Sequence, residues 1–182
     1  MMFLVAALIG LALGLTTAAR PATSCDVLSA RMLDLPFQAF DQGPDGWRRL
    51  SDSFLCGSHA APTIAAYWRA HGDLTPNESA LLFWHEGQLR AGLGQGPEAV
   101  ALFKQSRWSG EPEWWRLYRE ATIAFIQRDR AALERFRAML ASTSEQPPNL
   151  DVVDGLIRCF DRPYAEAYAC RSGTTSREQG GG

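Results

Sequence analysis

The sequence predicts an all-helical protein built from antiparallel helix hairpins, stacked as a short solenoid or closed into a compact bundle. Three observations carry this. Apolar residues recur at three- and four-residue spacings along most of the chain, no stretch alternates apolar and polar residues at the strand period, and helix start and stop signals punctuate the chain at hairpin intervals.

The N-terminus stands apart from this pattern. Residues 1–19 carry no charged side chain, and Phe3 to Leu15 form an apolar run shorter than the about 20 residues a bilayer span needs. Thr17, Ala18 and Ala19 then supply small residues suited to cleavage, so 1–19 is predicted to be a signal peptide cut near Ala19 or Ala22. Two alternatives are an uncleaved anchor, against which Arg20 and Pro21 end the apolar run early, and lipidation at Cys25, where Ala22 replaces the expected leucine. The expectation is a periplasmic or secreted protein with no stable membrane span after cleavage. A helical domain follows over 20–170, and the tail over 171–182, which has no apolar content, is expected to be disordered.

Four cysteines remain beyond the cut, Cys25, Cys56, Cys159 and Cys170, an even number in a chain bound for an oxidising space. They allow three connectivities. Cys25 with Cys56 and Cys159 with Cys170 is favoured because both pairs close local loops, the second turned back by Arg162 and Pro163. No C-x-x-C pair or paired histidines accompany them, which argues against a zinc site.

Along the domain, Trp47 to Leu55 is read as half of a degenerate first hairpin. Its partner is a helix capped by Ser58 that runs through Ile64, Tyr67, Trp68 and Ala70 to Gly72. Thr75-Pro76-Asn77-Glu78 is a capping box with proline at the first helical position, so a helix starts there and runs to about Ala91 or Leu93. The glycines and proline from Gly94 to Pro97 stop it and begin the next helix, which carries Ala99, Leu102, Phe103 and Ser106 as far as the break at Ser109 to Pro112. Leu117, Ala121, Ala124 and Phe125 then share one helical face. Asp129 caps a partner helix with Ala132, Leu133, Phe136, Met139 and Leu140 on its stripe. Thr143 to Pro148 is a linker, and Leu150 to Phe160 a short helix closing the stack.

Phe83, Gly87 and Ala91 on one helix, with Gly94, Ala99, Phe103 and Ser106 on the turn and the next, resemble a tetratricopeptide repeat. Ala124, Ala132 and Phe136 repeat part of the pattern thirty-three residues on, with Glu120 where Gly87 stood. The chain is also similar to secreted tetratricopeptide-like proteins of Gram-negative bacteria without an assigned activity. That similarity runs through Leu33-Asp34-Leu35-Pro36, Phe40-Asp41-Gln42 and Phe160-Asp161-Arg162-Pro163-Tyr164. It implies a scaffold that holds a partner, here another exported protein or a cell-envelope component. In that register the first helix of each repeat lines a concave face, which places Trp84, Gln88 and Trp114 in a binding groove, with Tyr118 and Arg119 near its edge. Tryptophans on such helices can equally fill the space between them; Trp84 is the exception expected, because Phe83 takes the core position, and it should serve binding and contribute little to stability.

Charge and motifs exclude most other classes. A net charge of −2 and a pI near 5.9 argue against nucleic-acid binding, and seventeen arginines beside the single Lys104 reflect base composition more than anion recognition. His85-Glu86 begins a zinc-protease motif, but Leu89 stands where the second histidine belongs, so no metal is expected. No serine-hydrolase elbow, P-loop or dinucleotide fingerprint is present, and no cofactor is implied. The reading is therefore a binding module with no catalytic residues. A carboxylate hydrolase working through Glu86, with Glu113 or Glu120, is the alternative, and self-association a third. Trp47 and Tyr164 are expected to pin the two ends of the chain onto the repeat body, with Asp41 and Asp161 pairing with Arg48 and Arg162 and a buried pocket between the ends as a further outcome.

Overall fold

The computed structural model describes residues 23–171; the expected signal peptide, and the tail beyond Arg171, lie outside them. The described residues are helical with no strands. In order they form α1 (Ser24–Met32), α2 (Phe37–Asp41), α3 (Arg48–Ser51), a 3-10 turn (Gly57–His59), α4 (Ala60–Ala70), α5 (Pro76–Gly92), α6 (Gly96–Gln105), α7 (Glu113–Ile126), α8 (Arg130–Ala141), α9 (Leu150–Arg158) and α10 (Tyr164–Ala169). No described helix is long and apolar enough to cross a membrane.

Local chemistry sets the central boundaries as expected. The Thr75 hydroxyl accepts from the Glu78 amide while the Glu78 carboxylate accepts from the Thr75 amide, and Pro76 opens α5 where no hydrogen bond is lost. Asp129 caps α8 through the Ala132 amide. Gly94, at φ +77°, makes the left-handed turn that ends α5 and lets α6 fold back. The α5–α6 and α7–α8 pairs pack as antiparallel hairpins, and α9 lies against α7 and α8.

The N-terminal third departs from expectation. Of Trp47 to Leu55 only the single turn α3 is helical, and Ser58 sits inside the 3-10 turn without capping α4. Two short helices, α1 and α2, precede it. A capping box of Thr23 and Asp26 starts α1, and Pro36 starts α2. These pieces wrap a core of their own made of Met32, Phe40, Leu50, Ile64 and Tyr67, with the Phe40 and Tyr67 rings stacked at 3.7 Å. A second core fills the C-terminal two thirds around Phe103, Leu117, Leu133 and Leu156.

Helix α5 belongs to both cores. Leu82 and Leu89 face the first, Trp84 and Ala91 the second. A helix buried on two sides has no single apolar stripe, and this displaces one expected assignment. Phe83 is half-buried edge-on against Trp68, and Trp84 takes the core position. Between α5 and α6, a Cβ built on Gly87 would lie 2.7 Å from the Phe103 ring. Gly87→Ala is therefore expected to push that ring aside and cost about 1 to 3 kcal/mol, read as a lower urea midpoint with unchanged m value.

Cysteine pairing follows the local choice, Cys25 with Cys56 and Cys159 with Cys170. The loops span 31 and 11 residues, and their closure stabilises the fold by roughly 3 to 4 and about 3 kcal/mol in the chain-entropy treatment. The second loop places α10 against α9 and against the flank of α5. A Cβ on Gly155 would meet the Cys170 carbonyl oxygen at 2.8 Å, so this close approach requires glycine.

Candidate functional site

The expected groove residues do not share an open face. The Trp84 ring is 3% exposed and packs 4.7 Å from Phe103, 5.1 Å from Trp115 and 5.0 Å from Tyr118, because α7 closes on α5 through these rings. Tyr118 is equally buried, and its hydroxyl is pushed well above the usual phenol range by that burial. Trp114 is half-buried, edge-on to Trp115. Arg119 is 1% exposed and structural: it grips Glu111 with two hydrogen bonds at 2.5 and 2.6 Å and donates to the Ser106 carbonyl at 2.8 Å, which ties the α6–α7 loop to α7. Of the expected set, Gln88 alone has a half-open side chain beside a large hollow, with Trp84 and Tyr118 in its walls.

The acids of the hydrolase alternative are also committed elsewhere. Glu86 is buried, accepting from the Trp68 indole at 3.0 Å and from Arg90 at 2.7 Å. Glu120 pairs with Arg107 and Glu113 with Arg116. Among the described residues no cluster of histidine, cysteine and acidic side chains has the geometry of a metal site.

What the fold builds instead is a cleft between the two ends of the chain. Two adjoining hollows, of about 540 and 370 Å³, share Trp47, Arg48, His85, Gln88 and Tyr168. Helix α5 supplies the floor through His85, Gln88, Leu89 and Leu93 just past its end. One wall is the α3 segment, with Trp47, Arg48 and Ser51, inside the Cys25–Cys56 loop. The other is α10, with Tyr164 and Tyr168, inside the Cys159–Cys170 loop. Both walls are thus segments of disulfide-closed loops set on a rigid helix. Trp47 and Tyr164, expected to pin the chain ends, meet at this cleft.

Asp41, at the end of α2, organises the site. It is 1% exposed and accepts from the Trp47 indole at 3.1 Å, from Gln42 at 2.5 Å and from His85 Nδ1 at 2.8 Å. This corrects the expected pairing with Arg48; Arg162 likewise lies 3.9 Å from Glu166. Burial alone raises the Asp41 pKa, but the hydrogen bond and charge of His85, joined by the Trp47 and Gln42 donors, outweigh it and hold the carboxyl at about 2, below its ordinary 3.8. His85, 14% exposed, has its ring fixed by Asp41 and by Trp47 at 5.2 Å.

The sign of the Asp41 shift gives a prediction. A folded pKa below the unfolded one adds stability that is fully present above pH 4 and lost as pH falls towards 2, roughly 2 kcal/mol in all. Urea midpoints taken from pH 6 to pH 2 should fall less steeply across that window in Asp41→Asn, whose stability at pH 6 is already reduced.

Two donors around the cleft, on Arg48 and Trp115, are buried without an acceptor. Arg48 lies over the Trp47 ring, 4.3 Å from its centroid, and its Nη1 is buried without a hydrogen-bond partner. The Trp115 Nε1 is also buried and unpartnered; burial drives the Tyr164 pKa far up, while a hydrogen bond with Gln88 pulls it the other way. Between the lining residues Asp52 and Gly57, the chain carries Phe54 and Leu55 exposed to solvent, and Leu93 is exposed on the floor side.

Comparison with known protein families, curated proteins and solved structures finds no match. The function is argued from the cleft alone.

Proposed function

We propose that this chain is an exported, non-enzymatic interaction module of the tetratricopeptide-like kind, which holds another exported protein or a cell-envelope component at the cleft between its disulfide-closed ends. The two packed hairpins in series support the repeat-like reading, and the two disulfides support an oxidising compartment. The observation that carries the proposal is the cleft itself: aromatic and arginine side chains on tethered walls, with the apolar Phe54 and Leu55 exposed on the segment between its lining residues Asp52 and Gly57. Tethered walls lower the ordering cost of binding, and adjacent exposed apolar side chains mark an interaction surface.

The test is capture from envelope extract by the oxidised protein, followed by rebinding of the purified partner. A double variant, Phe54→Ser with Leu55→Ser, should keep its unfolding midpoint and lose at least tenfold in partner affinity. If the only species bound is the protein itself, self-association replaces this reading.

The Asp41–His85 pair favours a second reading. An imidazole oriented through Nδ1 by a buried carboxylate, with Nε2 at a cleft, is arranged to act as a general base. Hydrolysis of envelope polymers by the purified protein, abolished in His85→Gln, would establish it; no turnover would leave His85 a binding residue.

A further inference from the structure

The chemistry of the cleft narrows what it holds. Arg48 borders both hollows, and its buried Nη1 has no hydrogen-bond partner. Asp52, four residues on, borders the larger hollow without pairing with it. A guanidinium stacked on an indole and partly stripped of water costs free energy until an acceptor arrives. The Trp115 indole nitrogen, on a side chain 9% exposed, can only donate and has nothing to donate to. Asp41, paired with His85, accepts from three donors, is buried and does not line the hollow. Beside this donor set the walls are apolar, formed by Trp47, Leu89, Leu93 and the Tyr168 ring.

We infer that the cleft captures a carboxylate carried on an apolar body, with Arg48 as its charged anchor and Trp47 and Leu89 against the apolar part. The inference rests on the reading of the chain as a binding module. A planar carboxylate matches the guanidinium fork with two parallel hydrogen bonds, and a ligand of amino-acid size or slightly larger suits about 540 Å³. A cationic ligand meets Arg48 as a like charge, and a purely apolar one leaves the donors unpaired. The same chemistry comes from two sources, a free apolar acid or the C-terminal residue of a partner polypeptide.

Four probes separate them in NMR titrations of the oxidised, full-length protein: N-acetylphenylalanine, its amide, and a hexapeptide ending in phenylalanine with a free or an amidated terminus. Both acids should bind at least tenfold more tightly than their amides, with shifts at His85 and Gln88. The preference should vanish in Arg48→Gln and be reduced in Arg48→Lys, which keeps the charge and loses the fork. Tighter binding of the free-terminus peptide than of the single residue assigns the ligand to a polypeptide terminus, and equal binding assigns it to a free acid. Equal affinity for acids and amides, or a preference that survives in Arg48→Gln, overturns the carboxylate assignment while cleft shifts keep the binding module. No shift with any probe also overturns it, and only the further failure to capture a partner removes the module as well.

Discussion

Replacing Trp84 with alanine is expected to lower the unfolding free energy by about 3 to 5 kcal/mol, the range for truncating a large aromatic in a close-packed core. The indole lies where α5, α6 and α7 meet, in contact with Phe103, Trp115 and Tyr118, and no neighbour can reach across to fill the hole. Each of those rings also loses an edge or face contact worth about 0.5 to 1.5 kcal/mol beyond area burial. Chemical denaturation checks this directly. The outcome expected of a groove residue, reduced ligand capture at unchanged stability, would contradict the packing described above. Trp84→Phe keeps an aromatic body in the site and should recover more than half of the loss.

The second large effect is electrostatic. Glu111→Ala should cost about 3 to 5 kcal/mol, because it strands the Arg119 guanidinium, 1% exposed, without its bidentate partner. The Ser106 carbonyl alone cannot neutralise the charge, and Glu120 is 4.0 Å away and shared with Arg107. A double replacement, Glu111→Leu with Arg119→Met, removes the charge and its partner together and should be much nearer the parent in stability. Urea titrations of the four members of this cycle give the coupling energy; a double variant as unstable as Glu111→Ala would show that Arg119 acts through its packing and not its charge.

Much of the helical body was legible because its signals are local. The Thr75–Glu78 capping box, the Asp129 cap, the turn at Gly94 and the stripe of Leu117, Ala121, Ala124 and Phe125 each depend on residues within a few positions of one another. The disulfide pairs were legible for the same reason, since each closes a local loop. Trp84 was misplaced because the reading gave α5 one buried face, whereas the N-terminal segment and α7 bury it on two. The site was largely out of reach. Asp41 and His85 stand 44 residues apart, and only the placement of the end of α2 beside α5 brings them together. The arginines were equally opaque: Arg48, Arg90 and Arg119 look alike in sequence, yet two are sealed by glutamates and the third is left beside a void. The signal at hand was the meeting of Trp47 and Tyr164, which pointed to the chain ends without naming Arg48 or His85.

The two cleft walls each belong to a loop closed by its own disulfide, and the floor to a helix that needs neither bond. Each wall is therefore held in two ways, covalently by its loop and by packing, of Trp47 and Leu50 in the N-terminal core and of Tyr164 and Ala167 in the C-terminal one. Reduction removes the first hold and leaves the second, so the spacing of the two walls becomes a property tunable by redox state while the floor beneath them keeps its place.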